Sequence, residues 1–315
     1  MMEEWNLKRL TRADVLVVGA ICCILVLSLP GCLSAAKSGS GREHCAANLS
    51  QIGKAMFAYA NDYEGALPRA GGPTTVWGPI RNWAAANRYE AYGLSADGSG
   101  GSATISSSFY LLVKSHRMPT KTFVCPEDAG TTEFSLGQVA TPRRFKLRDG
   151  WDFGPAGESF RHCSYSYHMP YGPFALTTSR DPNMAVAADR NPFIKSPAAE
   201  AKSLGGFKPD LNAFMGLEAQ ARESNATTHG LDGQNVLFLD GRVTFETRAY
   251  CAVPQPFFSG GGVKDNIYLQ SQYPDRSSPI GNVPWIGMQP TNERDSVLVH
   301  DPDVFLPSPP WAPRR

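Results

Sequence analysis

The feature that most constrains this chain is an apolar run from Ala13 to Ala36, which follows three basic residues, Lys8, Arg9 and Arg12. As an α-helix, a run of this length can cross a hydrocarbon core of roughly 30 Å. Its only charged residue is Asp14, which lies at the basic end, within reach of the lipid headgroups. The sequence therefore predicts a transmembrane helix over residues 13–36, with membrane lipid as its first partner.

The basic residues all precede the apolar run, so the positive-inside rule places residues 1–12 in the cytoplasm. The remainder of the chain would then lie outside an inner membrane that it crosses once. Two alternatives stay open: a lipoprotein modified at Cys32, and a signal peptide cleaved near residues 33–36. A retained anchor is favoured because the apolar run is long for a signal peptide and Pro30 is awkward for lipoprotein processing.

A second helical pattern follows the apolar run. Cys45, Leu49, Ile52, Met56 and Tyr59 recur at steps of four and three, which places them on one face of a helix. Residues 37–62 are therefore predicted to continue the transmembrane segment as an amphipathic helix. Such a face needs a sheet or another helix to cover it.

The rest of the chain is predicted to be rich in β-structure and loops, because the protein contains 30 Gly and 25 Pro. We assign residues 63–270 to an extracytoplasmic domain and residues 271–315 to a Pro-rich extended tail. The expected fold class is α+β, with the N-terminal helix packed on an antiparallel sheet. The net charge of +1 gives no reason to expect a nucleic-acid partner.

Several local patterns fill in this domain. Two β-rich runs flank Asp240-Gly241 within residues 235–246, which predicts a hairpin with a two-residue type I′ turn. Further strands are predicted at Thr122–Cys125, Ser164–Tyr167 and Met184–Ala188. Short helices are predicted at Ser107–Ser115 and near Leu211–Arg222.

Four cysteines lie outside the apolar run: Cys45, Cys125, Cys163 and Cys251. An even number in a compartment that permits disulfides indicates pairing, and four cysteines allow three pairings. We favour a disulfide between Cys125 and Cys163 because both lie beside strand-like runs of the central region. A zinc site formed by these two with His162 and His168 is the alternative, but it lacks the close paired spacing of zinc motifs.

Several motifs, taken in order, resemble one protein family. They are Cys45–Gly53 with Tyr59–Asp62, Phe123–Asp128, Ser164–Tyr167, and His229 followed by Gly233–Phe238 and Asp240-Gly241. Together they resemble the pilin-like H-X9-DG (DUF1559-type) proteins of planctomycetes and their relatives. Ten residues rather than nine separate His229 from Asp240, so the loop before the hairpin is one residue longer than the family pattern.

The resemblance implies a pilin-like fold with a type IV prepilin-like N-terminus. Leu10–Val18 aligns with a prepilin start, although Arg9 stands where processing needs a small residue. Asp14 would take the place of the acidic residue that pairs with the amino terminus of a neighbouring subunit. From its position at the edge of the membrane, we favour an interfacial role beside Arg12 for Asp14, with subunit pairing as the alternative that the resemblance implies. The implied partners are other pilin-like subunits or a type II secretion-like machinery.

The motif residues His229, Asp240 and Gly241 are expected to be structural. One histidine with one turn aspartate supplies too few ligands for zinc and no nucleophile, so we expect no catalytic residue, metal or cofactor. The leading prediction is therefore a non-enzymatic, pilin-like or pseudopilin-like envelope protein. The alternatives are a membrane-tethered module that binds an extracellular ligand such as a glycan and, third, a metal-dependent enzyme at His229 and Asp240.

Overall fold

The computed structural model describes residues 12–202, 222–255, 263–271 and 288–305. The chain consists of two compact units, residues 1–41 and residues 42–315, and the account below concerns the second, which we call the main unit. The predicted helix near Leu211–Arg222 lies almost wholly outside the described residues.

Helices and strands alternate irregularly along the chain. The α-helices are α1 (Arg12–Asp62), α2 (Arg88–Tyr92) and α3 (Ile105–His116), and the 3-10 helices are Thr120–Phe123, Leu136–Gln138, Leu147–Asp149 and Ser159–His162. The strands are β1 (Val76–Trp77), β2 (Ser102–Ala103), β3 (Tyr165–His168), β4 (Ala185–Asp189), β5 (Gln234–Phe238), β6 (Val243–Glu246), β7 (Tyr250–Gln255), β8 (Val263–Asn266) and β9 (Leu298–Val299).

The largest sheet has five strands in the order β6-β5-β4-β3-β9, and every neighbouring pair in it is antiparallel. Strands β7 and β8 form a separate antiparallel pair, and β1 and β2 a short parallel one. The predicted fold class, α+β with an antiparallel sheet, is confirmed.

In the part of the chain that the structure describes, no helix has both the length and the apolar character that crossing a membrane requires. The transmembrane segment at 13–36 stays a prediction. Asp14 belongs to helix α1, but its side chain is outside what the structure describes.

The part of helix α1 that belongs to the main unit, residues 42–62, packs on the five-stranded sheet. The predicted face is confirmed, since Cys45, Leu49, Ile52 and Met56 are all fully buried. Contact with the sheet is close, because a Cβ atom added to Gly53 would lie 2.8 Å from Leu237 Cδ1 on β5. This helix therefore forms part of the core of the main unit.

Asn48 adds a polar contact that the apolar periodicity does not reveal. Its side chain is buried and donates hydrogen bonds to the Tyr165 hydroxyl at 3.1 Å and to the Val124 carbonyl oxygen at 3.0 Å. Because buried amides need hydrogen-bond partners, these two bonds fix how the helix sits on strand β3.

The hairpin of β5 and β6 is confirmed, but its predicted type I′ turn is wrong. The register pairs Leu237 with Val243, and Phe238 donates to the Arg242 carbonyl at 2.9 Å, so three residues form the loop. Within that loop only Gly241 has a positive φ, of 87°, as expected for a type I turn followed by a glycine bulge. Glycine is needed here because other residues are strained at this φ.

Two other strand predictions are confirmed within one residue at β3 and β4. The prediction of a strand at Thr122–Cys125 is wrong, because Thr120–Phe123 forms a 3-10 turn in which Thr122 donates to the Pro119 carbonyl at 3.1 Å. The helix predicted at Ser107–Ser115 is α3, which begins two residues earlier after the N-cap Thr104.

The described part of the predicted tail, residues 271–315, supplies a strand to the sheet of the main unit. Leu298 and Val299 are fully buried and form β9, which pairs with β3 at the edge of the sheet. The next turn is fixed by Asp301, which accepts hydrogen bonds from Ile105 N at 2.8 Å and Ser106 N at 2.7 Å. These donors are at the N-terminus of α3, where an anion is stabilised.

Candidate functional site

The motif residue His229 lies in the interior of the main unit. Its side chain is fully buried, and its Nδ1 lies 2.6 Å from Glu127 Oε2. On the other side of the ring, Nε2 lies 3.2 Å from Asp189 Oδ2 and 3.2 Å from Asn235 Nδ2. The ring therefore joins the end of β4 and the start of β5 to the loop after Cys125.

Burial alone would lower the pKa of His229, but the hydrogen bonds and charges of Asp189 and Glu127 outweigh it and raise that pKa above its usual value. Two carboxylates on opposite sides of one imidazole stabilise its charged form. The predicted structural role of His229 agrees with this arrangement.

A disulfide lies beside this histidine. It joins Cys45 of helix α1 to Cys125, 80 residues further along the chain. Ligand atoms of Cys45, Cys125, Asp189 and His229, here called the four-donor cluster, all lie within 4.8 Å of one another. Four segments distant in sequence therefore meet at one point of the core.

The predicted disulfide between Cys125 and Cys163 is wrong. The two segments do lie side by side, because Ser164 N donates to the Phe123 carbonyl and Cys125 N donates to Ser164 Oγ at 2.9 Å. Ser164, however, faces Cys125, whereas the buried thiol of Cys163 donates to the Tyr165 carbonyl. Burial raises the pKa of the Cys163 thiol to about 12, so it is protonated near neutral pH.

The alternative zinc ligands of the sequence do not converge in the described structure. His162 Nδ1 contacts the Thr132 carbonyl at 2.9 Å, and His168 Nε2 contacts the Phe174 carbonyl at 3.3 Å. Cys125, the fourth of that predicted set, is bonded to Cys45 instead.

The motif residues Asp240 and Gly241 lie at the other end of strand β5. Asp240 is exposed, and its side chain contacts Arg242 within the hairpin loop. From Asn235, which contacts His229, to Phe238 the chain follows β5, and at roughly 3.3 Å per residue this part of the strand spans roughly 10 Å before the loop that contains Asp240 begins. The structure therefore does not bring His229 and Asp240 together, and the predicted enzyme site at this pair lacks a shared geometry.

Sequence reasoning missed two residues of this site, Glu127 and Asp189. Glu127 comes two positions after Cys125, and Asp189 is the last residue of β4. Asp189 accepts hydrogen bonds from Asn235 N at 2.7 Å and from Asn235 Nδ2 at 3.3 Å. An aspartate directly after a buried apolar strand is an indication that could have identified it.

A second feature lies near the C-terminal end of helix α1. Tyr59 and Tyr63 stack with ring centroids 4.0 Å apart and form one wall of a cleft of about 450 Å³. Arg69, Arg88 and Asp62 are also part of its lining. Tyr63 is half exposed, so an aromatic face and charged groups meet in a cleft open to solvent.

Comparisons with protein-family models, with curated proteins and with solved structures find no match to this chain. The resemblance to the pilin-like family is therefore carried by the sequence motifs alone.

Proposed function

We propose that this protein is a non-enzymatic, single-pass envelope protein of pilin-like build, anchored in an inner membrane by residues 13–36. Residues 1–12 face the cytoplasm in this proposal, and the main unit lies on the extracytoplasmic side. One observation carries the proposal: the face of helix α1 from Cys45 to Tyr59 is buried against an antiparallel sheet. That packing is the arrangement that the resemblance to pilin-like proteins implies.

The disulfide adds support because it joins the Cys45 segment of helix α1 covalently to Cys125, which lies outside the helix in the main unit. Cys45 is in the helix and Cys125 is outside it, so the bond resists separation of the two. A disulfide of this kind also suits an extracytoplasmic compartment, since cytosolic thiols are kept reduced.

We propose membrane lipid and other pilin-like subunits, or a secretion machinery, as the partners. In this proposal Asp14 pairs with the amino terminus of a neighbouring subunit. A carboxylate at the bilayer centre is costly and is normally paired, but Asp14 lies at the basic end of the apolar run, where lipid headgroups also solvate it, so the resemblance alone supports the pairing.

Protease protection tests the topology. In intact spheroplasts, protease added outside should digest exposed loops of the main unit while a tag at the N-terminus stays protected. Digestion of the N-terminal tag together with protection of the main unit would contradict the proposed orientation.

The mass of the native N-terminal peptide tests the pilin-like role. A peptide that begins at Leu10 and carries one methyl group would support a filament subunit. An unprocessed N-terminus would favour a tethered module, and a lipid on Cys32 would replace the transmembrane anchor with a lipoprotein.

A second candidate function, a membrane-tethered module that binds a glycan, is favoured by the cleft beside Tyr59 and Tyr63. Concave sites that pair aromatic surface with a few polar groups are typical of small-ligand binding. Of the stacked pair, the half-exposed Tyr63 offers an apolar surface for a sugar ring, and Arg69, Arg88 and Asp62 offer hydrogen-bond donors and acceptors.

Titration with soluble cell-wall oligosaccharides, followed by tyrosine fluorescence or calorimetry, tests this candidate. Tyr63→Ala should weaken binding at least tenfold. Tyr89→Ala is the matched control, because Tyr89 is similarly exposed but does not line the cleft. Equal binding by both variants and the natural protein would place the ligand elsewhere, and no binding at all would remove this candidate.

A further inference from the structure

The four-donor cluster contains the ligand types of a zinc site. It has two cysteine sulfurs, one imidazole and one carboxylate, and these atoms lie within 4.8 Å of one another. A tetrahedral zinc with sulfur at about 2.3 Å and nitrogen or oxygen at about 2.0 Å places its ligand atoms roughly 3.3–3.8 Å apart. The four groups therefore need to move only slightly to surround one ion.

The histidine is already oriented as a zinc ligand would be. Metal-binding histidines usually donate their second ring N–H to a carboxylate, which fixes the tautomer and turns the other nitrogen toward the metal. Glu127 Oε2, 2.6 Å from His229 Nδ1, is placed to accept that hydrogen bond. Nε2 then faces Asp189 within the cluster, and a metal ion bound there would replace its present 3.2 Å contact with Asn235 Nδ2.

One carboxylate oxygen of Asp189 accepts no hydrogen bond from the described residues. Asp189 Oδ2 accepts two hydrogen bonds from Asn235, but Oδ1 is buried and has no hydrogen-bond partner among the described residues. A buried carboxylate oxygen without a partner is costly, and a metal ion is one of the few partners that satisfies it fully. Asp189, whose Oδ1 lacks a partner, is also the residue whose Oδ2 contacts His229.

The disulfide occupies the two sulfur ligands in the structure, so the metal needs the dithiol state. A dithiol reductant supplies two electrons and two protons, converts the Cys45–Cys125 bond into two thiols, and itself becomes a disulfide. A divalent ion that then binds displaces the two thiol protons and, where His229 is charged, the Nε2 proton as well. A disulfide oxidant takes two electrons from the bound thiolates and two protons from water and becomes a dithiol, which restores the Cys45–Cys125 bond and releases the ion.

We propose that Cys45, Cys125, His229 and Asp189 bind one Zn²⁺ in the reduced protein, with Glu127 as the positioning residue for His229. The disulfide and the zinc ion are thus alternative links between the Cys45 segment of helix α1 and the rest of the main unit. Thiolate and imidazole ligands select zinc over the hard ions magnesium and calcium. This inference is independent of the proposed pilin-like role, since it depends on side chains of the core alone.

The test uses the full-length chain in a non-ionic detergent, either oxidised or reduced with a phosphine that does not bind zinc strongly. After incubation with ZnCl₂ and removal of excess metal, the reduced protein should retain one zinc per chain and the oxidised protein none. With Co²⁺ instead, the reduced protein should show thiolate charge-transfer absorption and the visible bands of tetrahedral cobalt.

Two double variants separate the proposed site from the remaining thiols. Cys163→Ala/Cys251→Ala keeps all four donors and should still bind one zinc when reduced. Cys45→Ala/Cys125→Ala keeps the other two thiols of the main unit and should bind none. Zinc that persists in the second variant, or is lost from a folded first variant, would overturn the assignment.

Glu127→Gln tests the positioning role without removing a ligand. A glutamine can still accept a hydrogen bond from Nδ1 but carries no charge, so zinc affinity should fall 10–100-fold. The cobalt spectrum should keep its tetrahedral form at saturating metal. Unchanged affinity in this variant would remove Glu127 from the site, and absence of zinc from the reduced natural protein would end the proposal.

Discussion

Removal of the Cys45–Cys125 disulfide should destabilise the main unit measurably. The bond closes a loop with a sequence separation of 80. For such a loop the chain-entropy relation gives a loss of about 15 cal/mol/K, or about 4.5 kcal/mol at 25 °C. Measured losses for native disulfides are typically about 2–5 kcal/mol, so the Cys45→Ala/Cys125→Ala variant should lose between about 2 and 4.5 kcal/mol.

Urea unfolding of the full-length chain in a non-ionic detergent measures this loss. The natural protein should unfold at lower urea when a reductant and a chelator are present, and the double variant should not respond to the reductant. Cys163→Ala/Cys251→Ala is the matched control. It removes two buried thiols but keeps the disulfide, so its stability should still fall on reduction.

The opposite response of the two double variants to reductant would refute the Cys45–Cys125 disulfide. If Cys163→Ala/Cys251→Ala abolished the response to reductant, one of those cysteines would carry the disulfide instead. A peptide map of the oxidised protein provides the direct control, because it should contain the Cys45 peptide linked to the Cys125 peptide and the Cys163 and Cys251 peptides as free thiols.

Four further predictions concern the core and its titrating groups. Leu49→Ala should lower the free energy of unfolding in urea by about 2–5 kcal/mol because Leu49 is fully buried. As the control, Lys54→Ala on the exposed face of the same helix should change it by no more than about 0.5 kcal/mol. In the same assay, Gly241→Ala should lower the free energy of unfolding by about 1–2 kcal/mol because φ is 87° at this position. Unchanged stability would contradict the bulged turn. Burial lowers the pKa of His168 to about 4, so the contribution of His168 to stability should fall by up to roughly 3 kcal/mol as pH falls from 6.5 to 4, measured as the difference in urea unfolding between the natural protein and His168→Asn. Burial and the charge of Asp301 raise the pKa of Asp152 to about 7, so the contribution of Asp152 changes in the opposite direction: it should decline by up to roughly 4 kcal/mol as pH rises from 3.8 through 7, measured as the difference between the natural protein and Asp152→Asn.

The sequence predicts best where a local pattern decides the structure. The steps of four and three from Cys45 to Tyr59 reflect the helical repeat, and each of those residues is buried. The hairpin of β5 and β6 is likewise set by two β-rich runs around Asp240-Gly241. Its turn type was not predicted correctly because strand register, not the dipeptide alone, sets the loop at three residues.

Contacts between distant segments were not predictable in the same way. Cys45 meets Cys125 only because helix α1 packs across the sheet, and no local pattern encodes that approach. Asp189 and Glu127 lie in different segments and share only the buried ring of His229. Composition also misled at the C-terminus, where many prolines surround the short, buried strand β9.

The central claim is that the Cys45–Asp62 part of helix α1 belongs to the folding core of the main unit. Hydrogen–deuterium exchange of the full-length chain tests it most directly. Backbone amides of residues 49–60 should exchange as slowly as those of β5 at Gln234–Phe238, through global unfolding. Rapid exchange in this helix segment while β5 remains protected would contradict the claim.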